Sequence, residues 1–306
     1  MINPFEKLRL ALFNIMTGLG RRGMLRCIPD GPYLRIQYWL KLGRVLHLKQ
    51  PKLYNEKLQW IKLHDRRPEY VTYADKLAVR DHVTSTIGAQ YLIPLIAQYD
   101  RISDIDWDAL PPSFAIKCTH GSGSNILCTD KTKLDTKAAE AKLEHWMGRN
   151  WYWMSREWPY LHIKPRIMAE AFLGANDGTV PFDYKIMCFE GEPTYIIVDA
   201  DRYTNHTRNY YDVNWRKQEM FNRHPNIPYP IDRPAQLEEM LALAQKLSAG
   251  IHHVRIDFYI VANKIYFGEM TFFHGYGMEV FRPRTFEQHM GNLIQLPTAS
   301  SKGQPI

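Results

Sequence analysis

Two acids stand twelve residues apart in HVRIDFYIVANKIYFGEMTFF, residues 253–273, where two apolar runs flank a short polar break. The pattern predicts a β-hairpin. If Ala262, Asn263 and Lys264 form a three-residue loop, Val261 pairs with Ile265 and Asp257 falls opposite Glu269. Side chains alternate along each strand, so Arg255, Asp257, Glu269 and Thr271 then share one face. Directly opposed positions bring Cβ atoms about 4.5–5.5 Å apart, where like charges repel. Such a pair needs a cation or a shared proton, and Mg²⁺ suits hard oxygen ligands while leaving positions for phosphate oxygens. Arg255 is placed to meet further negative charge. A two-residue loop would instead shift the register by one and put the acids on opposite faces. The plain alternative is a surface hairpin whose acids are partly relieved by Arg255.

A second stretch, FAIKCTHGSGSN at 114–125, follows an apolar strand with glycines, hydroxyls and an amide. Backbone N–H groups of a GSGSN loop can curl around one anion. Lys117 precedes the glycines, which excludes the G-x-x-x-x-G-K-[ST] phosphate loop. The order suits a hairpin flap, with Lys117 projecting from a strand and the loop folding over a phosphate. An ordinary Gly/Ser turn reads the same. Other candidates are weaker. Lys185 in FDYKIM either faces phosphate or is an exposed strand lysine. DADR, 199–202, has the Asp-x-Asp form that metal-dependent glycosyltransferases use, at Asp199 and Asp201. Arg202, His206 and Arg208 form a basic cluster for an acidic sugar or a terminal phosphate, or a solvated loop. His274 in FFHGYG could serve as a base or be structural.

The elements that would position these groups change character along the chain. The first 110 or so residues read as mostly helical, including 55–65 with Asn55 as N-cap and 73–88 with Asp75 as cap and Gly88 as stop. DWDALPPS, 106–113, is a prolyl break before FAIKC and NILCT, two strands around the glycine loop. Residues 136–158 return to helix with five clustered aromatic residues, read as packing. Then come a strand at 166–174, a hairpin at 182–202 turning at Glu190-Gly191, and an amphipathic helix at 234–250 ending at Gly250. No internal repeat is visible.

Composition sets outer bounds. The 306 residues are 45% apolar and 23% charged, an ordinary globular balance. The four cysteines are scattered, which gives neither a zinc pattern nor a disulfide framework and predicts a reducing, cytoplasmic setting. No apolar run reaches membrane-spanning length. The net charge of +7 lies in residues 1–50, which hold nine Lys/Arg against two acids; the other 256 residues balance at 30 against 30. That basic segment carries Phe5, Leu8, Leu12, Phe13, Ile15, Met16 and Leu19. It predicts either peripheral contact with an anionic membrane or a helix packed on the protein's own core. No basic stripe is interleaved with stacking aromatics, so nucleic acid is not expected as a partner.

Taken in order, Asp75-Lys76 with Arg80, Lys117 with Gly121–Asn125, Glu170 to Leu173, and RIDFY…FGEMT resemble the ATP-grasp superfamily. NEKLQW, REWPY, DYKIMCFEG and FGEMTF resemble its TupA-like branch, linked to teichuronopeptide and surface-polysaccharide synthesis. The resemblance spans roughly residues 50–297. It implies an α+β ATP-grasp fold in which two α+β subdomains clamp ATP between antiparallel sheets, preceded by a helical, basic N-terminal segment. The expected divisions are 1–50 (basic segment), 51–112 (α-rich), 113–172 (lid with the glycine loop) and 173–306 (metal-binding hairpin).

The resemblance also implies roles. Lys76 and Lys117 would contact the α- and β-phosphates, and Gly121, Ser122, Gly123, Ser124 and Asn125 would form the mobile lid. Glu170, Ala171, Phe172 and Leu173 would line the adenine pocket. Asp257, Glu269 and Thr271 would form the metal site, although Thr271 stands where many members carry Asn. Arg255, Lys185 and Arg202 are the candidate catalytic residues. The implied cofactors are ATP and Mg²⁺, and the implied partners are a carboxylate substrate, such as a uronic acid of a capsular glycan, and an amine substrate, such as an amino acid. The implied activity is a ligase that forms an amide through an acyl phosphate, releasing ADP and phosphate. The alternatives are a glycosyltransferase using Asp199 and Asp201, or a non-catalytic nucleotide-binding scaffold.

Overall fold

The computed structural model describes residues 3–174, 180–202 and 204–297. Helices α1 (Pro4–Arg21), α2 (Asp30–Leu42), α3 (Tyr54–His64), α4 (Glu69–Ala74) and α5 (Val79–Thr86) open the chain. Strands β1 (Leu95–Tyr99), β2 (Phe114–Cys118) and β3 (Asn125–Cys128) follow, then α6 (Thr136–Met147), α7 (Tyr152–Ser155), α8 (Pro159–His162) and β4 (Ile167–Ala171). The last part runs β5 (Asp183–Phe189), β6 (Glu192–Ala200), β7 (Thr207–Asp212), α9 (Leu237–Ser248), β8 (His253–Val261), β9 (Lys264–Thr271) and α10 (Arg284–Leu293).

The strands form two antiparallel sheets, ordered β1-β4-β2-β3 and β7-β6-β5-β8-β9. In the smaller sheet, Phe114, Ile116 and Cys118 of β2 turn inward with Ile167 and Ala169 of β4, and Leu143 of α6 packs onto them. Ala115 and Lys117 therefore point the other way, toward the larger sheet. That sheet is covered on one face by Met240, Leu243, Ala244 and Leu247 of α9. This explains why all seven residues of β5 are buried: alternate side chains meet the helix and the opposite, charged face.

Two local readings of the sequence need correction. Asn55 is not a helix cap: α3 starts one residue earlier, and the Glu56 carboxylate instead accepts from the backbone of Lys52 and Leu53. Asn55 lies buried, donating to the Glu279 carbonyl at 2.7 Å and to Glu287 at 2.8 Å. Tertiary partners took an amide that local capping would have used. Within the stretch read as mostly helical, residues 95–99 form β1, because β4 offers them an open sheet edge.

Candidate active site

Strand register assembles a row of ionisable groups on the inner face of the larger sheet. Arg208, Asp199, Asp183 and Tyr259 are mutually paired across β7, β6, β5 and β8. The next row holds Lys185, Asp257 and Glu269, and the following one Arg255 and Thr271. The hairpin that carries the last two rows has a two-residue turn, since Val261 pairs with Lys264 while Ala262 and Asn263 take left-handed angles of 49° and 62°. The anticipated three-residue loop and its Val261–Ile265 pair are therefore wrong, yet the anticipated pairing of Asp257 with Glu269 holds. A β-bulge lies between the Phe258–Phe267 and Asp257–Glu269 pairs, and it leaves Gly268 as the extra residue.

Facing this sheet, Lys117, Glu170 and the glycine loop form the other wall of a cleft enclosing about 1060 Å³ up to and including its open mouth. Lys76, Lys117, Ser122, Gly123, Ser124, Asn125, Glu170, Ala171, Phe172 and Leu173 line it, together with Arg202, Asp257 and Glu269. Ile93, Ala115, Leu127, Val180 and Pro181 add an apolar section. The cleft thus pairs a hydrophobic pocket with convergent charge, the combination a nucleotide needs.

Four of the sequence-derived residues stand behind the lining. Gly121 is buried, and a Cβ built on it would lie 1.9 Å from Trp151 Nε1; its carbonyl accepts from Lys76 Nζ at 2.6 Å. Only Ser122 and Gly123 are exposed at the loop tip. Lys185 is buried, not an exposed strand lysine, and it pairs with Asp183 and, at 2.8 Å, with Asp257. Arg255 forms a two-pronged pair with Asp257 at 2.6 and 2.7 Å and reaches Glu269 at 3.1 Å. Thr271 donates to Glu269 at 3.0 Å and accepts from Arg255 at 3.1 Å. Repulsion between the opposed acids is therefore relieved by Arg255 from beneath. Asp183 was missed by sequence reasoning, although its place two residues before Lys185 on the same strand face was the available signal.

Charge balance sets the protonation states. Burial alone would raise the Glu269 carboxyl, but Lys76, Arg255 and Lys185 hold it well below the usual carboxylate range. Asp257 and Glu269 both line the cleft, and the Glu269 side chain is the more open of the two, so its oxygen donors suit a hard divalent cation beside Asp257. Among the described residues no three His, Cys, Asp or Glu side chains converge as a metal cage. A cation here would complete its shell from phosphate and water.

Asp199 and Asp201 do not form a second metal pair. Arg208 grips both Asp199 oxygens, at 2.5 and 2.8 Å, while Asp201 is exposed beyond the strand end. Arg208 is thereby spent on Asp199, and Arg202 pairs with Asp183 at the cleft wall. His274 is buried 3.4 Å from Glu279 and does not line the cleft; burial pushes its pKa well down. The aromatic cluster of 146–158 packs: Trp151 covers Gly121, and Trp158 donates to the Asp65 carbonyl.

Two antiparallel sheets closing on a cleft, with lysines on one wall and paired acids on the other, define an ATP-grasp fold. Residues 56–295 match the model of the family described as TupA-like ATPgrasp, and the chain belongs to that family. No curated protein matches. Among solved structures, similarity extends to a D-alanine–D-alanine ligase of Bacillus anthracis complexed with ATP, at 13% identity and a TM-score of 0.37, covering 65% of this chain and 53% of that one. A D-alanine–D-alanine ligase of Helicobacter pylori shows 12% identity and a TM-score of 0.41 over 79% of this chain and 69% of its own. The ATP-grasp ligase PsnB with its minimal precursor, Mg and ADP shows 11% identity and a TM-score of 0.36, over 72% and 60%. The chain spans little more than half of the Bacillus ligase.

Proposed function

We propose that the protein is an ATP- and Mg²⁺-dependent ligase that joins a carboxylate to an amine. The observation that carries this reading is the placement of Lys76 and Lys117 with Asp257 and Glu269 in one cleft. Lys76 and Lys117 neutralise phosphate charge, and Ser122 to Asn125 cover the phosphates and keep water away. Phe172, Leu173 and the apolar section take the adenine. Asp257 and Glu269 would hold Mg²⁺, which supplies charge neutralisation at the phosphates. Burial raises the Asp257 carboxyl above its ordinary range, and Arg255 and Lys185 oppose that rise and orient the group, while Arg202 lies at the wall where the terminal phosphate and the carboxylate would meet.

In this reading a substrate carboxylate oxygen attacks the terminal phosphorus and ADP leaves. The amine then attacks the acyl carbon, the phosphate departs and the amine loses a proton, giving an amide. For the substrates we infer a uronic acid of a surface or capsular polysaccharide and an amino acid, in keeping with the TupA-like family. The test is release of ADP and phosphate that requires both substrates and Mg²⁺. Asp257→Asn and Glu269→Gln should each lower turnover about a hundredfold or more. Full activity in either variant would remove the proposed metal site, and UDP-sugar turnover without ATP would replace the ligase reading.

A further inference from the structure

The basic N-terminal segment has two apolar faces, of which the fold uses one. Phe13 and Met16 of α1 are buried with Tyr33, Leu34 and Tyr38 of α2, and Arg9 clamps the helices by donating to the Trp39 and Leu40 carbonyls. The adjoining face of α1 presents Phe5, Leu8, Leu12 and Ile15, at 62, 59, 44 and 57% exposure. The spacing of these four residues makes one continuous stripe. Ile36 and Trp39 of α2 extend it, Trp39 meeting Phe5 edge to face at 6.5 Å. Eight of the thirteen exposed large apolar side chains among the described residues fall in residues 1–50, so the exposure is concentrated and not the usual scatter.

Charge is concentrated in the same place. Lys7, Arg22 and Arg35 are exposed on the same two-helix unit, and the segment holds the whole net positive charge of the chain. Beside α2 lies a recess lined by Arg35, Lys49, Lys52 and Arg284, with Tyr38 among its walls. The Tyr38 hydroxyl is buried and has no hydrogen-bond partner among the described residues. Both helices precede residue 56, where the family match begins. No described helix is long and apolar enough to cross a membrane.

We propose that α1 and α2 dock the protein on the surface of an anionic lipid bilayer. The stripe from Phe5 to Ile15, with Ile36 and Trp39, enters the boundary between headgroups and acyl chains, and the surrounding cations meet lipid phosphates. The apolar stripe is what favours a bilayer over a soluble polyanion, which would use the cations alone.

Sedimentation of the full chain with vesicles tests this. Vesicles of phosphatidylcholine mixed with phosphatidylglycerol should bind it, at least about tenfold more tightly than phosphatidylcholine alone. Leu8→Asp/Ile15→Asp should lose about tenfold or more on the mixed vesicles with an unchanged melting temperature, since both side chains are already exposed. Lys7→Gln/Arg22→Gln/Arg35→Gln should lose about a hundredfold, at about fivefold per charge. No binding by the wild type, or equal binding to both vesicle types, overturns the proposal. Self-association that Leu8→Asp/Ile15→Asp abolishes, without vesicle binding, would assign the stripe to a second copy of the chain and also overturn it.

Discussion

Asp257 stands opposite Glu269 across β8 and β9 because Gly268 is left out of the ladder between them. With the two-residue turn and no bulge, Glu269 would oppose Ile256 and point away from the cleft. A Cβ on Gly268 would lie 3.0 Å from Tyr259 Cε2 and 3.2 Å from the Asp257 carbonyl oxygen. Gly268→Val should therefore cost about 1–3 kcal/mol by crowding. It should also abolish the rise in melting temperature that the proposed function predicts for the wild type with ATP and Mg²⁺. Urea denaturation and thermal shift measure the two effects separately.

Arg255 holds the two acids together, so its removal takes the two-pronged partner from buried Asp257 and leaves Lys185 to offset that charge. Arg255→Met should destabilise the protein by about 3–5 kcal/mol. Arg255→Lys keeps the charge but loses the planar fork that spans both Asp257 oxygens, and it should recover only part of the loss. Equal stability of wild type and Arg255→Met in urea would contradict this account.

Gly121 and Trp151 should behave as a coupled pair. Gly121→Ala should destabilise by about 1–3 kcal/mol, because its methyl would occupy the indole's place. Combined with Trp151→Ala, the two losses should sum to less than their separate values by about 1 kcal/mol. Strict additivity in the double-mutant cycle would show that the loop does not lean on Trp151.

His253 makes stability fall in mild acid. Its ring is buried and neutral, Nδ1 donating to the Cys188 carbonyl and Nε2 accepting from the Tyr54 hydroxyl, each at 2.8 Å. Burial lowers its pKa from 6.5 to about 3. Between those values the unfolded chain binds the proton and the folded one does not, so acidification favours unfolding. From pH 7 to pH 5 this group should remove about 2 kcal/mol, with little change above pH 7. His253→Gln should flatten that part of the stability–pH curve relative to wild type, and a curve of unchanged slope would count against it.

How much of the site could be read from the chain depended on the range of the interaction. Lys117 with its glycine loop and the Arg255, Asp257, Glu269, Thr271 face were legible, because alternation along a strand and turn chemistry are local. The turn length was misread, since nothing in Ala262-Asn263-Lys264 announces that Gly268 will bulge. Asn55 was misread for a related reason: its partner Glu287 lies 232 residues away. The two faces of α1 could be counted from sequence, but not which one the core would take.

The order of motifs, the antiparallel hairpins, the basic N-terminus and the family were determined by the sequence alone, since each rests on composition or on spacing within one element. Tertiary structure alone decided that Lys185 and Arg255 lie beneath the acids, that Arg208 is spent on Asp199, and that Phe5, Leu8, Leu12 and Ile15 stay outside the core. The reason is physical: a buried charge takes whichever opposite charge the sheet register brings within reach, and that pairing joins strands far apart in the chain.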